Sequence, residues 1–223
     1  PCDVNELPGF AEGRVSIQDE AAQLAAIALQ SRPGDRVLDA CAAPGGKSGH
    51  ILELQAGLAA LVAMDVEPKR LSRVAENLDR LQLSAELIAG DGENPPGSLA
   101  VGSFDRILVD APCSASGVIR RHPDVKVLRR EKDIAKFALQ QVAILSGLWP
   151  LLKPGGHMLY ATCSVLSAEN TGVIKQHLQR QLDAEVLTLE QDWGEATAVG
   201  RQVLPSSGGP DGLFYSMLRK RPG

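Results

Sequence analysis

The chain has 223 residues, enough for one substantial α/β domain, and no linker-like stretch divides it. Hydrophobic residues make up 44% and aromatic residues only 4%, so the core must be built from aliphatic side chains. The net charge of -4 argues against a uniformly basic nucleic-acid-binding surface. Charged residues interrupt the apolar stretches before they reach membrane-spanning length and no signal peptide opens the chain, so we expect a cytoplasmic protein.

Strand-like and helix-like segments alternate regularly along the chain. A helix is predicted over residues 15–30, with Ser16 as its N-cap and Asp19 three residues on. Further helices are predicted over 47–54, 68–81, 134–152 and 167–182, and strands over 36–41, 58–65, 85–91, 104–111, 157–162, 184–189 and 213–218. Residues 153–156 (KPGG) should end the helix predicted over 134–152. This order predicts a doubly wound, mostly parallel sheet of seven strands.

The four cysteines and four histidines lack the close spacing of a zinc site or a disulfide framework. Each histidine is therefore predicted to be an ordinary surface or core residue, and we expect no metal in the mechanism. The histidines are His50, His122, His157 and His177.

Several polar residues and thiols follow the ends of the predicted strands. In a doubly wound sheet, ligands bind beyond the carboxyl ends of the strands, near the point where the strand order switches. Residues far apart in the chain are therefore expected to line one crevice. These residues are Cys41, Asp65, Asp91, Asp110, Cys113 and Cys163.

A glycine-rich turn, Pro44-Gly45-Gly46, joins the first strand to a helix. Glycine allows backbone to approach a ligand closely, and the helix N–H groups face it. The turn lacks the GxGxxG spacing of dinucleotide folds, which argues against NAD. Asp65 is placed to accept hydrogen bonds from ribose hydroxyls, and Asp91 to reach an adenine edge. One such aspartate alone is more often a cap or turn residue, but three, with Asp110, favour a nucleoside pocket.

Two cysteines, Cys113 and Cys163, follow strand ends and are flanked by turn formers and hydroxyls. An isolated buried cysteine usually behaves as a small hydrophobe, which remains an open interpretation for Cys41. A free thiol has a pKa of about 8.5, so a nucleophilic cysteine needs a site that favours the thiolate. Lys47 and the helix after the glycine turn could supply positive potential there.

Three motifs resemble those of the S-adenosylmethionine-dependent RNA cytosine-5-methyltransferases: 41–47 (CAAPGGK), 110–114 (DAPCS) and 162–164 (TCS). Residues 117–124 (GVIRRHPD) and 160–170 (YATCSVLSAEN) are similar to the bacterial small-subunit ribosomal RNA methyltransferases of the Sun/Fmu type. The resemblance extends from about residue 7 to residue 220. That family carries an N-terminal helical RNA-binding domain, so residues 1–14 are interpreted as a linker remnant and 15–223 as the methyltransferase domain.

The resemblance implies a Rossmann-like class I methyltransferase fold with S-adenosyl-L-methionine as cofactor. It implies that Cys163 attacks carbon 6 of a cytosine and that Cys113 assists release of the product. Asp110 would hydrogen-bond the polar edge of the base, and Lys47 would act similarly or stabilise the loop. The cofactor-binding residues would be Cys41, Ala42, Ala43, Pro44, Gly45, Gly46, Lys47, Asp65, Asp91 and Asp110.

The implied substrate is 16S ribosomal RNA, and we expect a monomer. Residues 120–132 carry six basic side chains against two acidic ones, and a second basic cluster occupies 219–221. Such clusters are usually solvated surface, but beside Cys113 a phosphate-binding role for 120–132 is favoured. Transfer RNA, DNA and a non-catalytic RNA-binding protein remain alternatives. DNA cytosine methyltransferases rely on one Pro-Cys thiol, so the second cysteine argues for RNA.

Overall fold

The computed structural model describes residues 3–222, apart from the side chain of Asn5. Five parallel strands form the centre of the sheet in the order β3-β2-β1-β4-β5. The strand order reverses between β1 and β4, which creates a crevice at their carboxyl ends. The strands are β1 (Arg36–Ala40), β2 (Ala60–Asp65), β3 (Glu86–Ala89), β4 (Phe104–Asp110) and β5 (Leu152–Thr162).

The other side of the sheet is antiparallel. Strand β9 (Leu213–Lys220) pairs with β5 along one edge and with β6 (Ala184–Leu187) and β8 (Gly200–Val203) along the other. Strand β7 (Glu195–Thr197) forms a hairpin with β8. The α/β class with a parallel centre is confirmed, but the described residues form nine strands where seven were predicted. The additional hairpin was missed because its strands are short and mostly not buried, so they show little apolar pattern.

Helices cover both faces of the sheet. Successive strand residues face opposite layers: Val37 packs in the cluster that includes α1 to α3 residues, and Leu38 in the cluster that includes α5 and α6 residues. The fold is therefore doubly wound, as predicted. The helices are α1 (Glu20–Leu29), α2 (Gly46–Leu54), α3 (Pro68–Arg80), α4 (Val125–Leu128), α5 (Glu131–Leu148) and α6 (Thr171–Arg180).

Several element boundaries differ from the sequence prediction, and two of the differences have a clear physical reason. Helix α1 begins at Glu20, because Asp19 rather than Ser16 caps it by accepting a hydrogen bond from the Ala21 N–H at 3.0 Å. Residues 153–156 do not simply end a helix: they lie within β5, where the pairing with β4 shifts register. Gly155 has a φ of +79° there, a conformation that suits glycine at a local bulge.

Helix α5, extended by the following turn to Leu151, is long and apolar enough to cross a membrane by length and composition. The sequence interpretation did not anticipate such a segment. Its residues Val142, Leu145 and Leu148 are fully buried in the core. A core helix passes the same test of length and composition, and 44% of this apolar window is buried against the rest of the described chain.

The residues before α1 pack against α3. The guanidinium of Arg80 lies 4.0 Å from the centre of the Phe10 ring and donates to the Phe10 carbonyl at 2.8 Å. A Cβ on Gly13 would lie 2.0 Å from the Arg80 carbonyl oxygen, so the two backbones are in close contact. The interpretation of residues 1–14 as a link to a further domain stays a prediction.

His177 on α6 makes the stability of the fold dependent on pH. It is fully buried, packs edge-on against Trp149 at 5.1 Å between ring centroids, and neither ring nitrogen has a hydrogen-bond partner. Burial lowers the pKa of His177 to about 4. The unfolded histidine has a pKa of about 6.5, so the unfolded chain binds the proton first as pH falls. The stabilisation is therefore complete above about pH 6.5 and is lost toward pH 4.

We expect His177→Leu to flatten this dependence. Between pH 7 and pH 4 the wild type should lose about 3 kcal/mol more of its unfolding free energy than the variant, because only the wild type has this buried ring to protonate. Urea unfolding of both proteins across this pH range measures the difference. Parallel curves for the two proteins would contradict the assignment.

Candidate active site

The glycine turn connects β1 to α2 as predicted. Cys41 and Gly45 have positive φ angles of 61° and 98°. A Cβ on Gly45 would approach the Val74 Cα to 3.1 Å, so both the conformation and the packing require glycine. Gly45 is the N-cap of α2 and provides no side-chain hydrogen bond, which leaves the first N–H groups of the helix without a side-chain cap.

A cavity of about 350 Å³ opens beside this turn at the carboxyl ends of the strands. The topology thus brings together residues up to 122 positions apart, between Cys41 and Cys163. Pro44 and Gly46 line a larger cavity of about 850 Å³ on the other side of the turn, against α3 and the N-terminal segment. The predicted site residues that line the smaller cavity are Cys41, Ala43, Asp65, Asp91, Asp110, Cys113 and Cys163.

Asp65 and Asp91 differ in their surroundings. Asp65 is 1% exposed; its carboxylate accepts hydrogen bonds from the N–H groups of Ala43 at 3.2 Å and Glu67 at 3.1 Å. Asp91 is exposed and accepts from the Glu93 N–H at 2.9 Å, which forms a local turn. Both line the cavity, and their contacts with a ribose and an adenine stay predictions.

Two charged residues that the sequence interpretation did not single out support the turn. Arg70 lies 3.4 Å from the Asp65 carboxylate and donates to the Ala43 carbonyl at 3.3 Å. Asp39 is fully buried and accepts from the Ser48 hydroxyl at 2.6 Å. Burial, only partly opposed by the Ser48 hydrogen bond, raises the pKa of Asp39 to about 7. The sequence did carry a signal for Asp39: it is a charged residue within an apolar strand, where charged side chains are rarely buried without a partner.

Lys47 reaches from α2 to the end of β4. Its Nζ lies 2.6 Å from the Asp110 carboxylate. Burial alone would lower the pKa of Lys47, but the Asp110 carboxylate more than offsets this and raises the pKa above its ordinary value. Lys47 therefore stays protonated, holds Asp110 in place and favours negative charge on Cys163.

The sulfur atoms of Cys113 and Cys163 lie 3.2 Å apart. The hydrogen bond from Cys113, helped by Lys47, lowers the pKa of Cys163 against the opposing effects of burial and Asp110. The same hydrogen bond and burial raise the pKa of Cys113. Cys163 is therefore the sulfur that ionises, and Cys113 is the thiol that donates to it. Burial raises the pKa of Cys41 to about 12, which agrees with its interpretation as a small hydrophobe.

The basic segment 120–132 divides into structural and exposed side chains. Arg120 and Arg121 form ion pairs with the fully buried Asp211. Arg129 donates from Nε to the Ser114 carbonyl at 3.0 Å, beside Cys113. The predicted phosphate-binding role is therefore restricted to the exposed side chains that make neither an ion pair nor a hydrogen bond among the described residues, namely Lys126, Arg130 and Lys132.

The second basic cluster, at 219–221, also makes structural contacts. Arg219 pairs with Glu185 on the neighbouring strand, and Lys220 donates to the carbonyls of Trp149 and Leu152 at 3.2 Å and 3.1 Å.

Within residues 3–222, no three His, Cys, Asp or Glu side chains form a group that could hold a metal ion.

A family model described as 16S rRNA methyltransferase RsmB/F matches residues 26–219. The chain belongs to this family. It is 57% identical over 219 residues to a ribosomal RNA small subunit methyltransferase B of Pseudomonas putida and 50% identical over 221 residues to that of Vibrio cholerae. These alignments cover 98% and 99% of the chain but 50% of each relative. The chain therefore spans about half the length of the curated RsmB/F relatives it matches.

Solved structures agree with a class I Rossmann-like methyltransferase fold. A methyltransferase homolog protein from Pyrococcus horikoshii superposes with a TM-score of 0.83 at 32% identity, covering 99% of this chain and 72% of that one. NSun6 from the same organism, solved with SFG, has a TM-score of 0.88 at 27% identity, covering 100% of this chain and 57% of that one.

Proposed function

We propose that this chain is the catalytic domain of an S-adenosylmethionine-dependent methyltransferase that modifies carbon 5 of a cytosine in 16S ribosomal RNA. The observation that carries this proposal is the contact of Cys113 and Cys163 at 3.2 Å, beside the cavity at the glycine turn. Ring carbon 5 is a poor nucleophile until a thiolate adds at carbon 6, whereas methylation of a nitrogen or oxygen needs no thiol. A thiolate paired with a thiol therefore favours a pyrimidine carbon as the target.

The cavity fits the cofactor by the chemistry of its walls. Met64 and Ile144 provide apolar surface for an adenine, and the carboxylates of Asp65 and Asp91 provide acceptors for the ribose and the adenine edge. Within the turn, Cys41 and Ala43 line this cavity, and their backbone would hold the remaining amino-acid part. When bound, S-adenosylmethionine supplies an electrophilic methyl group.

Different residues of the chain then carry out the separate steps of the reaction at the cytosine. The Cys163 thiolate attacks carbon 6, and the new S–C bond makes carbon 5 nucleophilic enough to accept the methyl group. Asp110, held by Lys47 at 2.6 Å, accepts a hydrogen bond from the polar edge of the cytosine. Cys113 then assists release: water takes the proton from carbon 5, the electrons of that C–H bond re-form the double bond between carbons 5 and 6, and Cys163 leaves as a thiolate that accepts a hydrogen bond from the Cys113 thiol. The base must leave its stack to reach the thiols.

The test is to incubate the chain with 16S ribosomal RNA and methyl-labelled S-adenosylmethionine, then to identify the labelled nucleoside by mass spectrometry. We expect 5-methylcytidine. Label on a base nitrogen or a ribose oxygen would overturn the proposed chemistry, and labelling of transfer RNA but not 16S RNA would overturn the substrate. We propose that the activity is cytoplasmic. We also expect a monomer, and light scattering on the same sample measures its molar mass.

The exposed side chains of Lys126, Arg130 and Lys132 should contact RNA phosphates. Arg129 connects their segment to the Cys113 loop, so RNA that delivers a base to the thiols passes close to them. Replacing all three with alanine should weaken RNA binding and reduce the slope of log K against log salt by about 2, since each phosphate contact on single-stranded RNA contributes about 0.7.

The matched control removes three other exposed basic side chains, Lys175 and Arg180 on α6 and Arg221 directly after β9. Filter binding at several salt concentrations compares the two triple variants with the wild type. An equal loss of slope in both variants would show that the effect is one of overall charge and would contradict a phosphate-contacting surface at 120–132.

A further inference from the structure

A buried carboxylate lies behind the two cysteines. Glu169 is 0% exposed, and Oε1 accepts from the Ser114 N–H at 2.7 Å and from Gln141 Nε2 at 3.3 Å. Oε2 accepts from the hydroxyls of Ser114 at 2.5 Å and Ser164 at 2.6 Å. The donors in these contacts are all neutral. The sequence interpretation did not single out Glu169, which belongs to no apolar pattern and to no strand end.

These contacts join the two loops that carry the thiols. Ser114 directly follows Cys113 and Ser164 directly follows Cys163, although the two pairs are 50 positions apart. The same carboxylate therefore binds both Cys-Ser pairs. The Gly117 N–H also donates to the Cys163 carbonyl at 2.9 Å, which connects the loops through their backbones.

Burying a carboxylate is costly unless its oxygens are well hydrogen-bonded, and apolar residues usually serve stability as well or better. Here the carboxylate is placed where it connects the two catalytic loops. Glu169 does not line the cavity of about 350 Å³, so it has no access to a substrate there. Its effect must pass through the residues it holds.

We propose that Glu169 is a positioning residue that, by binding Ser114 and Ser164 together, sets the contact between the sulfurs of Cys113 and Cys163. The inference deepens the proposed function, since it concerns the thiol pair on which that function rests. Electrostatics agree with the geometry: the hydrogen bond to Cys163 and burial raise the pKa of Cys113, and the Glu169 carboxylate adds to this. Glu169 thus keeps the proton on Cys113, the sulfur that donates.

The experiment measures alkylation of Cys163 by iodoacetamide as a function of pH, with site-resolved mass spectrometry. In Glu169→Gln the neutral amide cannot accept from all these donors, so the sulfurs separate and Cys163 loses its donor. We expect the alkylation midpoint to move up by about one pH unit, about a tenfold loss of thiolate at neutral pH. Methyl transfer should lose about tenfold in kcat, with the KM for S-adenosylmethionine unchanged.

The matched control is Ser216→Ala on β9, which removes a buried hydrogen bond of 2.6 Å from the Ser216 hydroxyl to the Val199 carbonyl in the turn between β7 and β8. It should lower thermal stability without moving the alkylation midpoint. If Glu169→Gln does not fold, Ser114→Ala and Ser164→Ala test the same link. Ser164→Ala should raise the midpoint more than Ser114→Ala, which keeps the hydrogen bond from the backbone N–H of residue 114 to Glu169, and the double variant should add little to Ser164→Ala.

An unchanged alkylation midpoint in folded Glu169→Gln, or in both serine variants, overturns the inference. The readout needs neither RNA nor cofactor, so it is independent of the methylation target. A wild type that fails to produce 5-methylcytidine overturns the proposed function and leaves this thiol measurement intact. If Glu169→Gln has the wild-type alkylation midpoint of Cys163 and the wild-type rate of methyl transfer, only the role of Glu169 is overturned and the proposed function stands.

Discussion

Cys163→Ala is expected to abolish methyl transfer to RNA, with a loss on the order of 10⁴-fold or more, because no other group forms the bond to carbon 6. The pKa of Cys163 is lowered by the Cys113 hydrogen bond and by Lys47, so the wild type presents a thiolate that the variant lacks. Single-turnover transfer of labelled methyl groups measures the loss. Affinity for S-adenosylmethionine should stay within about twofold, since the turn at 41–46 is unchanged.

A second measurement identifies the nucleophile directly. RNA that carries 5-fluorocytosine should trap the wild type in a covalent adduct, because fluorine at carbon 5 cannot leave as a proton does. Cys163→Ala should form no adduct. If it formed the adduct as the wild type does, the assignment of the attacking sulfur would be wrong and Cys113 would be the nucleophile.

Cys113→Ala should have a different effect. Attack and methyl transfer remain possible, but release is slow, so a covalent protein–RNA complex should accumulate with unmodified RNA and appear on a denaturing gel. Turnover should fall by about 10²–10⁴-fold, the usual contribution of a general acid or base. Loss of the donor also raises the pKa of Cys163, so adduct formation should be slower at neutral pH and recover as pH rises toward 9.

Comparing the two cysteine variants therefore tests both assigned roles. Cys113→Ala that turns over at the wild-type rate, with no trapped complex, would remove Cys113 from the release step. If Cys113→Ala formed no adduct while Cys163→Ala did, the roles of the two thiols would be reversed. The proposed roles come from the family resemblance, and the lowered pKa of Cys163 beside Cys113 and Lys47 agrees with them.

Much of the site was predictable because its signals are local. The apolar runs that form β1, β2 and β4 end at Cys41, Asp65 and Asp110, and the carboxyl ends of parallel strands meet at one edge. The glycine turn is equally local, since Gly45 follows a strand and begins a helix. Element boundaries were less predictable: Ser16 and Asp19 are both acceptable caps, and only the fold determines which one reaches the helix N–H groups.

The basic segment shows where a charge pattern is insufficient. Its six cations look equivalent along the chain, yet Arg120 and Arg121 bind Asp211, about 90 positions away. Whether a basic side chain is available to bind an RNA phosphate depends on which carboxylates lie next to it in the folded chain. The exposed set is therefore smaller than the sequence indicated.

The sequence by itself determined the α/β class, the parallel centre of the sheet and the thiols, acids and glycines at its edge, since these depend on the order of residues within single elements. Only the tertiary structure decided that the two thiols are in contact, that Lys47 holds Asp110, and that Glu169 connects both Cys-Ser pairs. These properties depend on distances of about 3 Å between residues 50 or more positions apart. Such distances exist only after the chain has folded.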